Sequence, residues 1–198
     1  MRIKEFIIIL TFSLFRQFCL SQTNETFLDS LNNKESLIYL SDSLTRHEIA
    51  SFSIRGKSIF EADSSIKQTL YEIPLVNCTD TSAYFEKGDF YASEIIVGIF
   101  SENKFSKHRI KEVQFIHYKY GLILPDSAIA GIYDPIFCLN NYKKKKEHFS
   151  NCKVFRSSDK KRIYIYMLNG HEKKQYEITW VIQDSKYFTR VLDFVNNE

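Results

Sequence analysis

The chain has 198 residues, a formal net charge of +3, 44% hydrophobic and 15% aromatic residues, and only six Gly and three Pro. That aromatic content excludes a disordered or low-complexity protein, which lacks the apolar surface needed to fold. The length fits one domain that can bury a core without a dense disulfide framework.

Residues 1–21 have the layout of a secretory signal peptide. Arg2 and Lys4 precede an apolar run from Phe6 to Phe15, and Cys19-Leu20-Ser21 supplies small residues for a cut after Ser21. The apolar run is about ten residues long, whereas a bilayer-spanning helix needs roughly 20. A cleavable leader is therefore expected. Lipidation at Cys19 is disfavoured by Arg16-Gln17-Phe18 just before it. Cleavage removes Arg2, Lys4 and Arg16 against Glu5, so the remaining chain is nearly neutral. Such a chain has no global field to attract nucleic acid or an anionic membrane. The expected product is a soluble secreted or periplasmic protein, with no nucleic-acid partner and no membrane anchor after cleavage.

The segment 22–45 leans helical, with Leu28, Leu31, Leu37 and Leu40 giving a weak amphipathic spacing. Glu48 to Ile54 alternates with period two and predicts a strand. From Lys57 to Ser93 the pattern is irregular, with turn residues at Pro74, Asn77, Asp80, Gly88 and Asp89. Glu94 to Phe100 is apolar on both faces, as in a central strand covered on both sides. Ser101 to His108 is a polar connection, and Arg109 to Leu124 predicts one long strand ending at Pro125. Asp126-Ser127 can cap a short helix through Ile132, ended by Asp134-Pro135.

The last third is clearest. Cys152–Arg156, Arg162–Leu168, Gln175–Ile182 and Tyr187–Phe194 read as strands, with turns at Asn169-Gly170 and Asp184-Ser185. Consecutive antiparallel strands make a meander. Early helices and late strands predict an α+β fold. A helical N-terminal segment (22–45) leads into one α+β domain (46–198), whose mostly antiparallel sheet ends in a C-terminal β-meander. In topology alone, without a shared motif, this order resembles the cone-shaped folds of the nuclear-transport-factor type.

Specific chemistry is sparse. His47, His108, His117, His148 and His171 are scattered, with no paired metal-ligand spacing, so no metal site is expected. No P-loop, dinucleotide fingerprint or nucleophile elbow occurs, and no cofactor is expected. Cys78 could be a nucleophile only with a histidine such as His108 or His117 beside it. The carboxylates Asp126 and Asp134, or Asp89 and Glu94, flank short elements as cap and turn residues would. No catalytic residue is assigned. Asn24-Glu25-Thr26 and Asn77-Cys78-Thr79 match the glycosylation triplet.

With Cys19 removed, three cysteines remain, allowing one disulfide. Cys138–Cys152, closing a polar loop, is the expected pair, and Cys78 is left as a buried free thiol or a partner for another chain. Within that loop Lys143, Lys144, Lys145 and Lys146 form the one dense basic cluster, a solvated loop or a contact for an acidic surface. Tyr164 and Tyr166 share one face of their strand, opposite Ile163, Ile165 and Met167. That face is either covered by a helix or an aromatic docking patch.

These features predict a non-catalytic domain that binds a small ligand or an unknown protein partner, near Tyr164, Tyr166 and Trp180. Two alternatives stand. One is an exported hydrolase assembled from residues distant in sequence. The other is an inhibitor or immunity-type protein of another exported protein.

Overall fold

Local capping decides the first helical elements. In a computed structural model describing residues 35–60, 70–89, 92–104, 107–118, 120–139, 149–170 and 175–195, a 3-10 turn at Leu37–Tyr39 leads to helix α1, Ser43–Phe52. The Asp42 carboxylate accepts hydrogen bonds from the Leu44 and Thr45 main-chain N–H groups at 3.0 and 3.1 Å, an N-cap in the usual sense. Helix α2, Ile54–Ile59, follows at once, capped by Ser53, whose hydroxyl accepts from Gly56 N–H at 2.8 Å. The strand expected over Glu48–Ile54 is thus a helix end, a break and a second helix start. The period-two alternation there is coincidental, because the two caps satisfy helical backbone donors on either side of it.

The remaining elements are strands and one short helix. They are β1 (Tyr71–Ile73), β2 (Leu75–Thr79), β3 (Ser82–Asp89), β4 (Ala92–Lys104), β5 (Lys107–His117), β6 (Tyr120–Ile123), α3 (Asp126–Ile129), β7 (Cys138–Leu139), β8 (Phe149–Ser150), β9 (Cys152–Arg156), β10 (Arg162–Asn169), β11 (Tyr176–Gln183) and β12 (Lys186–Phe194). Three of these strands, β1 to β3, lie in the stretch read as irregular. The strand expected from Arg109 to Leu124 divides at Tyr118, which adopts a left-handed φ of 53° between β5 and β6. The short α3 begins near the expected place but ends at Ile129 rather than Ile132, and its N-cap is Pro125: Asp126 lies in the first turn and no side chain caps it.

All strand pairs are antiparallel. One sheet runs β1-β9-β10-β11-β12 and the other β2-β3-β4-β5-β6, with β7-β8 a separate short ladder. The predicted C-terminal meander is the body of the first sheet. Its β11–β12 turn, Asp184-Ser185, has φ of 49° and 61°, the twist-matched geometry of a two-residue hairpin. The α+β class and the antiparallel sheet are therefore present.

Alternation then builds the layers. Ile163, Ile165, Met167, Ile178 and Trp180 of the first sheet share one core with Phe85, Val97, Ile99, Val113 and Phe115 of the second. On its other face the first sheet carries Phe155, Tyr164, Val181 and Val191, buried with Leu37 and Ile49 of the helical segment. Three layers result: helices, sheet, sheet. Strand β4 is central in its sheet, as its sequence suggests; Ile95, Val97, Gly98 and Ile99 are buried, and Ile96 and Phe100 are half-buried on the face opposite the three aliphatic residues.

Candidate functional site

The three aromatic residues expected to share a ligand site are on two different faces. In the β10–β11 register Tyr164 lies opposite Val181, and Ile165 opposite Trp180. Tyr164 and Tyr166 therefore face the helices, whereas Trp180 faces the second sheet. The Phe52 ring of α1 stacks on Phe155 at 4.5 Å and stands 5.7 Å from both Tyr164 and Tyr166. The Tyr164 hydroxyl donates to Glu48, and the Tyr166 hydroxyl to Glu177 at 3.1 Å. Trp180 is fully buried, and its indole N–H donates to the Ala128 carbonyl at 2.7 Å. The aromatic face is covered by a helix, the first of the two alternatives open from sequence.

Charged groups fasten that helical layer. Glu48 and Arg162 pair at 2.8 Å, with Asp159 also on Arg162 at 3.1 Å. Glu177 accepts from the main-chain N–H groups of Ile54 and Arg55 at 2.8 and 3.0 Å, at the start of α2. Asp193 accepts from Leu37 N–H at 3.0 Å and from the Ser36 hydroxyl. Arg190 pairs with Glu35 at 2.7 Å and donates to the carbonyls of Ala128 and Ala130. Burial holds the Glu177 and Asp193 carboxyls above the usual carboxylate range, against the lowering effect of the hydrogen bonds they accept. These groups bond to one another and to backbone. They serve the architecture.

The disulfide is Cys78–Cys138, with Cα atoms 5.9 Å apart, and Cys152 is a free, buried thiol. The expected Cys138–Cys152 pairing is corrected, and so is the idea of Cys78 as a free thiol or nucleophile. The β7–β8 ladder explains the difference: it sets Cys138 opposite Ser150, so the chain continues past Cys138 before reaching Cys152. Cys152 then joins β9 opposite Met167 and enters the core between the sheets. Burial pushes its thiol up to about 12. A disulfide of this kind belongs to an oxidising compartment.

An opening remains where the two sheets part, at the end of the sandwich that carries the β9–β10 and β11–β12 turns. It has a volume of about 300 Å³, at the lower end for small-ligand sites. Its floor is Ile95 and Phe115 of one sheet and Ile163 and Ile182 of the other. Arg156, Lys160, Lys161 and His117 line its wall and rim, and among the described residues Asp184 is the one carboxylate there. Three of the turn residues at this rim, Lys160, Asp184 and Ser185, have left-handed φ, so the hairpins hold the rim in a defined shape. Arg156 is the notable member. It pairs across to Ile163, an inward residue, and follows the inward Val154, so alternation points it between the sheets. It is only 6% exposed.

Sequence reading missed this group. The one available signal was Arg156, a cation at the inward parity of a strand otherwise carrying Cys152 and Val154. Nothing in sequence brings His117 or Lys161 beside it. The other expected sites divide as follows. His108 is exposed, and its main-chain N–H donates to Asp134 at 3.0 Å. Asn77 is exposed on β2. Among the described residues no group of His, Cys, Asp and Glu is placed to hold a metal, and no helix is long and apolar enough to cross a membrane. The signal segment 1–21, the Asn24 triplet, Lys143 to Lys146, His148 and His171 lie outside the described residues. Comparison of the chain with protein-family models, curated proteins and solved structures finds no match.

Proposed function

We propose that this is an exported, non-catalytic binding domain, secreted or periplasmic, whose small ligand enters the opening between the two sheets. The observation that carries the reading is convergence: cationic and polar side chains from four separate elements meet over an apolar floor at a single opening into the core. Concave, mostly apolar sites with a few polar groups are where small ligands bind. The Cys78–Cys138 bond and the leader-like first 21 residues support export. The cone-shaped version of the fold would instead seat a ligand between helices and sheet. There α1 with Phe52, Glu48 and the two tyrosines fills the space, which favours the inter-sheet opening.

A screen of small metabolites by amide chemical-shift mapping tests this. Ligands should move the amides of Phe115, Ile163, Ile182 and Asp184 together. Hits that move only residues elsewhere, or no hits, would overturn it.

A further inference from the structure

We infer that Asn77 is a modification site: its side-chain amide carries an N-linked glycan on the outer face of the second sheet. The inference rests on export of the protein and is independent of the opening between the sheets.

Strand β2 sorts the triplet Asn77-Cys78-Thr79 by face. Successive side chains on a strand point to opposite sides of the sheet. Cys78 is buried in the core between the sheets and bonded to Cys138. Asn77 and Thr79 are both exposed, and they lie together on the opposite, outer face. An acceptor triplet is defined by an Asn amide and a hydroxyl two residues on. Here those two groups stand side by side at the surface, and the middle residue is turned away from them. The Thr79 hydroxyl lies 2.8 Å from the Ser82 hydroxyl, also at the surface.

The surroundings leave room for a bulky, solvated group. β2 is an edge strand, paired on one side with β3. The register shifts between Leu75 and Asn77, and Val76 within that irregularity is 58% exposed. Asn77 lies directly opposite the half-buried Tyr84, and such cross-strand neighbours touch. The first sugar therefore lies against the Tyr84 ring, and the rest of the glycan extends past the sheet edge into water. β2, Leu75–Thr79, carries no charged residue, whereas exposed sheet edges are ordinarily guarded by charge or cover. A glycan on this strand is such a cover.

The transfer needs a lipid-linked oligosaccharide phosphate as donor. A bond forms between the Asn77 side-chain nitrogen and the anomeric carbon of the sugar. The bond from that carbon to the phosphate oxygen breaks, the lipid phosphate leaves with the electron pair, and the amide proton passes to a base of the transferase. Transfer precedes folding, because pairing with β3 and the bond from Cys78 to Cys138 hold the finished triplet in the sheet.

Mass mapping of the protein purified from its own cells, digested without reductant, tests this. The peptide containing Asn77 should carry the mass of a glycan, with fragments that place it on that residue. Asn77→Gln and Thr79→Val, made in the same cells, should each lose that mass, and Thr79→Ser should keep it. Sugar that survives Asn77→Gln would be held by a hydroxyl and would overturn the inference, as would an unmodified Asn77 in the natural protein. If the unmodified protein has lost residues 1–21 and contains the Cys78–Cys138 bond, the glycan alone falls and export stands. If it keeps residues 1–21 and has free thiols inside the cell, export falls with it.

Discussion

Glu48 of α1 and Arg162 of β10 meet at 2.8 Å, with side chains only 1% and 6% exposed. The pair ties the helical layer to the sheet at a site that water does not reach. Removing Glu48 leaves Arg162 only the exposed Asp159 carboxylate and leaves the buried Tyr164 hydroxyl without its acceptor. Glu48→Ala should therefore cost about 3 kcal/mol. Glu48→Leu combined with Arg162→Met should recover part of that loss, since neither charge is then left buried without its partner, while the Tyr164 hydroxyl still lacks its acceptor. Urea unfolding of the three proteins, followed by tryptophan emission, checks this. Trp180 is the only tryptophan in the chain and is fully buried, so its emission should shift to the red on unfolding. A double variant as unstable as the single one would count against the pair as the fastening.

Glu177 and Asp193 give stability a pH dependence of defined sign. Both carboxyls are raised in the folded protein by burial. The folded state then binds their protons more tightly than the unfolded chain does. Their favourable contribution is full below the unfolded value and is lost as pH rises through the raised folded one. Glu177→Gln removes the buried charge but keeps one acceptor oxygen where Ile54 and Arg55 use two. It should flatten the plot of urea midpoint against pH above the ordinary carboxylate range of about 4, with a pH-independent loss of about 1–3 kcal/mol from the N–H left without a partner. A variant that keeps the wild-type slope would refute the sign.

The Cys78–Cys138 bond spans a sequence separation of 60. On the chain-entropy model a loop of that size contributes about 4 kcal/mol. Replacing both cysteines by alanine should lower stability by up to that amount. Peptide mapping without reductant should recover Cys78 and Cys138 in one linked species. Cys152 should resist alkylation in the native protein, its thiol being buried and pushed up to about 12, and should react once urea unfolds the chain. A linked Cys138–Cys152 peptide would contradict the pairing.

Gly56 marks where α2 turns against α1. A Cβ there would fall 2.4 Å from the Ser53 hydroxyl oxygen and 2.5 Å from the Ala50 Cα. The second of these is backbone and cannot swing aside. Gly56→Ala should cost about 1–3 kcal/mol through overpacking, despite the better helix propensity of alanine. At the start of α1, Asp42→Ala should cost about 1 kcal/mol and Asp42→Asn much less, because asparagine retains the capping oxygen. Thermal unfolding of the three variants orders these effects, and a Gly56→Ala protein more stable than wild type would show that the α1–α2 contact is loose.

Much of the first sheet was legible in the amino-acid order, because strand alternation and turn chemistry are local. Arg162 to Phe194 carry two alternating strands, a left-handed Asp184-Ser185 turn and a third strand, and each neighbour supplies the next partner. The presence of the short α3 was legible for the same reason, from Asp126-Ser127 after Pro125, although neither side chain caps it. The strands β1 to β3 were not, since their short runs are stabilised by cross-strand pairs and by a core that the second sheet completes. The Glu48–Ile54 alternation misled because capping by Asp42 and Ser53 outweighs a period-two pattern of seven residues.

What the order of residues determined by itself is the class: an aromatic-rich α+β chain with a leader-like start, a C-terminal meander, and an inward Tyr/Ile alternation on β10. What only the tertiary structure decided is which surfaces meet. Cysteine pairing depended on the β7–β8 register, the cover over Tyr164 and Tyr166 depended on where α1 docked, and Trp180 turned to the opposite face through its pairing with Ile165. The opening around Arg156 is of the same kind. Its charge is written in one strand, but the floor and the other cations come from residues as far away in sequence as Ile95 and Asp184. Local rules fix the direction of a side chain along its own strand, whereas a site forms only where separate strands converge.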